Sequence, residues 1–145
     1  GDIVPMTAEC PTLTFNTIGR HQSRLVRTRI ASNLSPWLSQ CQMDDPYTVA
    51  ISHGEGRFVA NDEVLRTLVA NGQVATQYVD EAGMPSMSLD VNPNGSVAAI
   101  EGITSPDGRV LGKMGHVERR GDNLYSNVPG NAWMPVFESG VAYFA

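Results

Sequence analysis

Residues 100–119 read IEGITSPDGRVLGKMGHVER, and their interpretation decides the fold. Within them SPDGR (105–109) carries the chemistry of a tight turn: Pro106 sets the first turn dihedral, and Asp107-Gly108 accepts positive φ. A hairpin is expected, with a strand on each side. The second strand, RVLGKM, runs into a Gly115-His116 corner. Just past it stand His116 and Glu118, two positions apart, a spacing that puts both side chains on one side of an extended chain.

Upstream, NPNGS (92–96) is packed with turn formers, and a short element through Val97 to Ile100 leads to Ile103. VATQYVD (74–80) reads as a strand. Before it, Asn61 or Asp62 can cap a helix over Asp62–Ala70, where Val64, Leu65 and Leu68 share a face and Asn71-Gly72 supplies the stop. YTVAISHGEGRF is rich in β-formers until two glycines flank Glu55, so a strand delivers His53 and Glu55 to its end. Ala31 to Tyr47 reads as a loop with at most a helical turn over residues 35–40. Leu13 to Ile30, with its alternating LVRTRI, suits two short strands around a Gly19 turn. The closing VFESGVAYFA is aromatic and β-branched enough to pack.

The 145 residues suit one domain with one core, and 41% hydrophobic with 17% charged residues is a globular balance. A formal charge of -5 argues against a nucleic-acid partner. The local cluster Arg20, Arg24, Arg27 and Arg29 reads either as a solvated or acid-paired strand face or as a phosphate or carboxylate site. No apolar run approaches the roughly 20 residues of a membrane span, so no membrane association is expected. Cys10 and Cys41 form neither a metal pattern nor a disulfide framework, which points to a cytoplasmic protein.

His53-x-Glu55 and His116-x-Glu118 are the candidate chemistry. A carboxylate beside an imidazole fixes its tautomer and basicity, as nucleophilic catalysis requires. Two His and two Glu also make a metal set. A histidine at a strand end bonded to backbone is the plain alternative, and the residues alone leave all three open.

ISHGEGRF, NPNGS and IEGITSPDGRVLGKMGHVER, in this order, resemble the glutaminase domain of the phosphoribosylformylglycinamidine synthase family, a class I (triad) glutamine amidotransferase of purine biosynthesis. NTIGRHQSR (16–24) resembles the family's Asn-x-Ser-x-x-Phe-x-x-Arg segment, retaining Asn16 and Arg24. NAWMPVFESGVAYF resembles the end of the large single-chain form. The likeness covers nearly the whole chain.

The resemblance implies an α/β fold of the flavodoxin-like type, with the site at the carboxyl ends of strands; this piece is expected to be β-rich with few helices. The family motif Pro-His-Pro-Glu-Arg falls on Gly115-His116-Val117-Glu118-Arg119, implying that His116 is the base and Glu118 its orienting partner in a Cys-His-Glu triad. Asn16 and Arg24 are either turn and strand-edge residues or holders of the substrate glutamine. No metal is expected among residues 1–145. ATP and magnesium are implied for the synthetase domain of the same parent chain, which amidates formylglycinamide ribonucleotide to the amidine.

The family's nucleophile sits in a Gly-x-Cys-x-Gly elbow, and neither AECPT nor SQCQM has such glycines. Residues 1–145 are therefore expected to be the C-terminal part of a glutaminase domain, inactive alone and prone to self-association. A non-catalytic interaction or metal-binding module is the alternative.

Overall fold

The computed structural model describes residues 5–145. Seven strands and two α-helices are formed among them: β1 Thr12–Thr14, β2 Gln22–Ile30, β3 Pro46–His53, β4 Arg57–Val59, α1 Asp62–Ala70, β5 Val74–Tyr78, β6 Ile100–Thr104, β7 Leu111–Lys113 and α2 Val136–Phe144. The β-rich α/β character expected of the sequence is present. Five strands make one sheet in the order β3-β2-β5-β6-β7, and β1 pairs separately with β4. All described pairings are antiparallel, so these residues do not form the parallel ladder of a flavodoxin-like sheet.

The sheet curls until its two edges meet. Just beyond β7, the His116 N–H donates to the Ala50 carbonyl of β3 at 2.8 Å, an isolated antiparallel bridge between the first and last strands of the order. One core contains Val26, Ile30, Val49, Ile51, Tyr78 and Val117. A second joins Phe58, Leu68, Val74 and Ile100 to Val64 and Leu65 of α1.

The hairpin between β6 and β7 forms as its turn chemistry dictates. The Gly108 N–H reaches the Ser105 carbonyl at 2.9 Å, and Gly108 takes φ +71°. Helix α1 starts where Asn61 Oδ1 accepts the Val64 N–H at 2.8 Å, and Asp62 and Glu63 face its positive end. It stops before Gly72, at φ +66°.

The two strands around Gly19 do not share a sheet. Asn16 donates its backbone N–H to the Gly54 carbonyl at 3.0 Å, fastening the intervening loop to the end of β3 instead of closing a hairpin. The C-terminal stretch winds into α2 despite its β-branched residues. Gly140 lets the helix settle on Trp37, whose ring would lie 2.3 Å from a Cβ at that position.

Candidate active site

His53 ends β3, and His116 follows β7 across the seam. Their rings stack at 5.2 Å between centroids, with planes only 7° apart. His116 Nδ1 lies 2.6 Å from Glu118 Oε1. A carboxylate there accepts a hydrogen bond from Nδ1–H, which keeps the proton on Nδ1 and leaves Nε2 as the acceptor nitrogen. Nε2 is buried and has no hydrogen-bond partner among the described residues. The sequence-expected base and orienter are thus in contact, with the base's free nitrogen withdrawn from water.

Partial burial pushes the Glu118 carboxyl up, but its own backbone N–H, the His116 ring and Arg119 together outweigh burial and hold it below the ordinary range. Burial and the neighbouring His116 both push His53 down, favouring its neutral form. Glu118 also borders a groove of about 510 Å³ walled in part by Trp37, Val117 and Phe137.

Nitrogen lone pairs lie in the imidazole plane, so two rings nearly parallel do not converge on one metal ion. Among the described residues no three His, Cys, Asp or Glu side chains cluster as metal ligands. The cysteines are engaged elsewhere. Cys10 Sγ lies 3.4 Å from the Thr7 nitrogen, and Cys41 is buried in the main core.

Asn16 is 2% exposed and its amide is saturated. Nδ2 donates to the Arg20 and His53 carbonyls at 2.9 and 2.7 Å, while Oδ1 accepts from the Gly56 N–H at 3.0 Å and Asn94 Nδ2 at 2.6 Å. It thereby ties three sequence motifs, NTIGR, HGEG and NPNGS, into one block under His53. The NPNGS segment is more than a turn. Asn92, Asn94 and Ser96 are all fully buried, and Ser96 Oγ accepts the Phe58 N–H at 3.0 Å.

Arg24 is exposed on β2, opposite Ile51 and on the same sheet face as His53, with Nη2 donating to the Asp90 carbonyl at 2.8 Å. Its neighbours favour the paired-strand reading: Arg27 reaches the Glu81 carbonyl at 3.3 Å, and Arg29 meets Asp44 at 2.7 Å.

Two contacts at the site were missed from sequence. One is the His53–His116 stack, hinted at only by the repeated His-x-Glu spacing. The other is Glu101 of β6, buried within hydrogen-bonding reach of the Gly115 N–H and of Lys113. An acid and a lysine within one hairpin gave no signal of being buried.

The protein is thus a curled, mainly antiparallel α/β domain that brings a half-buried histidine against a carboxylate at the seam of its sheet. More narrowly, the chain belongs to the CobB/CobQ-like glutamine amidotransferase domain family, which residues 1–144 match. It is 42% identical over 99 residues to the phosphoribosylformylglycinamidine synthase subunit PurQ of Thermomicrobium roseum, covering 68% of this chain and 41% of that protein. With the subunit of the same name from Synechocystis it shares 39% over 107 residues, 74% of this chain and 47% of the relative. A chain in the structure of PurLQS from Thermotoga maritima superposes with a TM-score of 0.68 at 26% identity, over 94% of this chain and 54% of that one. The chain thus spans about half the length of the relatives it matches.

Proposed function

We propose that this chain supplies the general base and orienting carboxylate of a glutaminase that feeds ammonia to the ATP-dependent synthesis of formylglycinamidine ribonucleotide. The His116 Nδ1–Glu118 contact at 2.6 Å, which leaves Nε2 without a hydrogen-bond partner among the described residues, is the observation that carries it. The names of the relatives supply the substrate class.

In the proposed reaction a cysteine thiol gives its proton to His116 Nε2, and the thiolate attacks the side-chain amide carbon of glutamine. As the C–N bond breaks, the imidazolium returns the proton to the leaving ammonia. Water then attacks the thioester, His116 takes its proton, and glutamate and the thiol are released. Glu118 holds the ring in one tautomer and stabilises its charged form.

The thiol is proposed to come from outside residues 5–145. Burial pushes the Cys41 thiol up, and neither Cys10 nor Cys41 has the flanking glycines of the nucleophile elbow. Residues 1–145 are accordingly read as part of a glutaminase domain, without activity alone. The exposed Phe137, Val141 and Tyr143 of α2 support self-association of the isolated chain. Arg24 is proposed to meet the glutamine α-carboxylate with its remaining N–H groups, while Asn16 shapes the loop beneath it. The closing NAWMPVFESGVAYF favours a synthetase on the same chain, although the matched relatives are named as separate subunits. ATP and magnesium are assigned to that synthetase, and the pathway suggests a cytoplasmic setting.

The test is glutamine hydrolysis by the full-length protein that carries this chain. His116→Ala is expected to lower kcat by on the order of 10³-fold or more, and Glu118→Gln by on the order of 10²-fold or more. Wild-type turnover by His116→Ala would reject the assignment. Arg24→Met is expected to raise KM with kcat little changed, and an unaltered KM removes the substrate contact.

A further inference from the structure

The corner that carries His116 has neither proline nor β-branched residue at position 115, so hydrogen bonds must fix its direction. Three successive amides there are each engaged. The Met114 N–H donates to the Glu101 carbonyl at 2.9 Å, the Gly115 N–H to the Glu101 carboxylate, and the His116 N–H to Ala50 at 2.8 Å. Two of the three acceptors belong to Glu101.

The Glu101 side chain is completely buried, and Lys113, 7% exposed, contacts its two oxygens at 2.8 and 2.6 Å. Thr76 Oγ1 donates to the same carboxylate. The glycine permits this close approach. A Cβ at position 115 would stand 2.7 Å from Glu101 Oε1 and 2.5 Å from Val49 Cγ2.

A buried ion pair contributes little net stability compared with apolar residues of the same volume, because desolvation offsets the attraction. Its directional bonds do contribute geometry. Here those bonds end on the residue preceding the histidine.

We propose that Glu101 is a positioning residue for His116: by holding the Met114 and Gly115 amides it aims the imidazole between His53 and Glu118, with Lys113 neutralising the carboxylate. The catalytic consequence rests on the glutaminase reading above. The placement itself does not.

The experiment compares two double variants in the full-length protein. Glu101→Leu with Lys113→Met removes the buried charges and the acceptor; Glu101→Gln with Lys113→Met restores an acceptor oxygen without charge. Losing the charges costs little, but the Gly115 N–H and the Thr76 hydroxyl lose their acceptor, so the leucine variant is expected to melt on the order of 10 °C below wild type while remaining folded at 25 °C. Its kcat for glutamine hydrolysis should fall on the order of 10²-fold, with KM held within about threefold. The glutamine variant should recover kcat to within about fivefold of wild type. A leucine variant at wild-type turnover overturns the proposal, as does a folded glutamine variant no faster than the leucine one.

Amide exchange of the wild-type protein decides the point independently of whether either variant folds. Gly115, whose N–H meets the Glu101 side chain, should exchange as slowly as the β6 amides, and fast exchange there overturns the placement. If His116→Ala retains activity, the glutaminase reading fails, while the exchange result still reports on Glu101.

Discussion

Replacing Asn16 by alanine tests the block that underlies His53. The change removes four side-chain hydrogen bonds, and their environments set the cost. Arg20 is exposed, so its carbonyl can turn to water. Gly56 and Asn94 are buried, and both donors would lose the oxygen they share. An orphaned buried donor costs about 1–3 kcal/mol, giving a loss of roughly 2–6 kcal/mol for the two. Domains of ordinary stability have about 5–15 kcal/mol to lose, so the effect is large. With a urea slope of about 2 kcal/mol/M, the midpoint should fall by roughly 1–3 M. Urea titration followed by far-UV circular dichroism and by Trp37 and Trp133 fluorescence measures it, at several protein concentrations to separate association from folding. Asn16→Asp keeps the acceptor but loses the donors facing Arg20 and His53, so it should also destabilise. Because Asn16 and Asn94 share a bond, their double alanine variant should cost less than the sum of the singles. A midpoint shift below about 0.3 M for Asn16→Ala would refute the saturated-clamp reading.

The depressed pKa of His53 predicts an acid-side loss of stability. The unfolded state takes up the proton near the ordinary value of 6.5, while the folded state resists it, so stability is full above that pH and falls as pH drops from there through the lowered folded pKa. Melting curves between about pH 8 and 5 should show a shallower decline for His53→Gln than for wild type, and equal slopes would refute the burial effect. The cysteines should separate by reactivity. A backbone bond and a side-chain bond from Thr7 lower the Cys10 thiol, whereas burial raises Cys41, so iodoacetamide should label Cys10 in the native protein and Cys41 only on unfolding. Simultaneous labelling would contradict this arrangement.

Local chemistry made several elements legible. Asn61 and Asn71-Gly72 bounded α1, and Pro106-Asp107-Gly108 placed the hairpin, because caps and turns act within a few residues. Sheet partners were not legible in the same way. Whether β1 pairs with β2 or β4 depends on where Asn16 finds its bonds, 37 and 78 residues along the chain at His53 and Asn94. The tail concealed α2 because helix formation there depends on Trp37 accepting a glycine face, a tertiary fact. His116 and Glu118 were recognisable as a pair through their spacing. That His53 stacks on His116, and that Glu101 is buried against the Gly115 amide, became visible only when the curl of the sheet joined distant strands.

The contact between Ala50 and His116 is what keeps the two imidazoles together. Elsewhere the sheet is held by ladders of paired residues, but at this junction a single bridge closes the ring, and such places open at lower free energy than the strands around them. The two imidazoles sit on either side of that bridge. Each brief parting would separate them and wet Nε2; each return would restack the rings. Exchange at the His116 amide, set against that of Val26 within the β2–β3 ladder, would therefore record the fraction of time for which the two rings are apart.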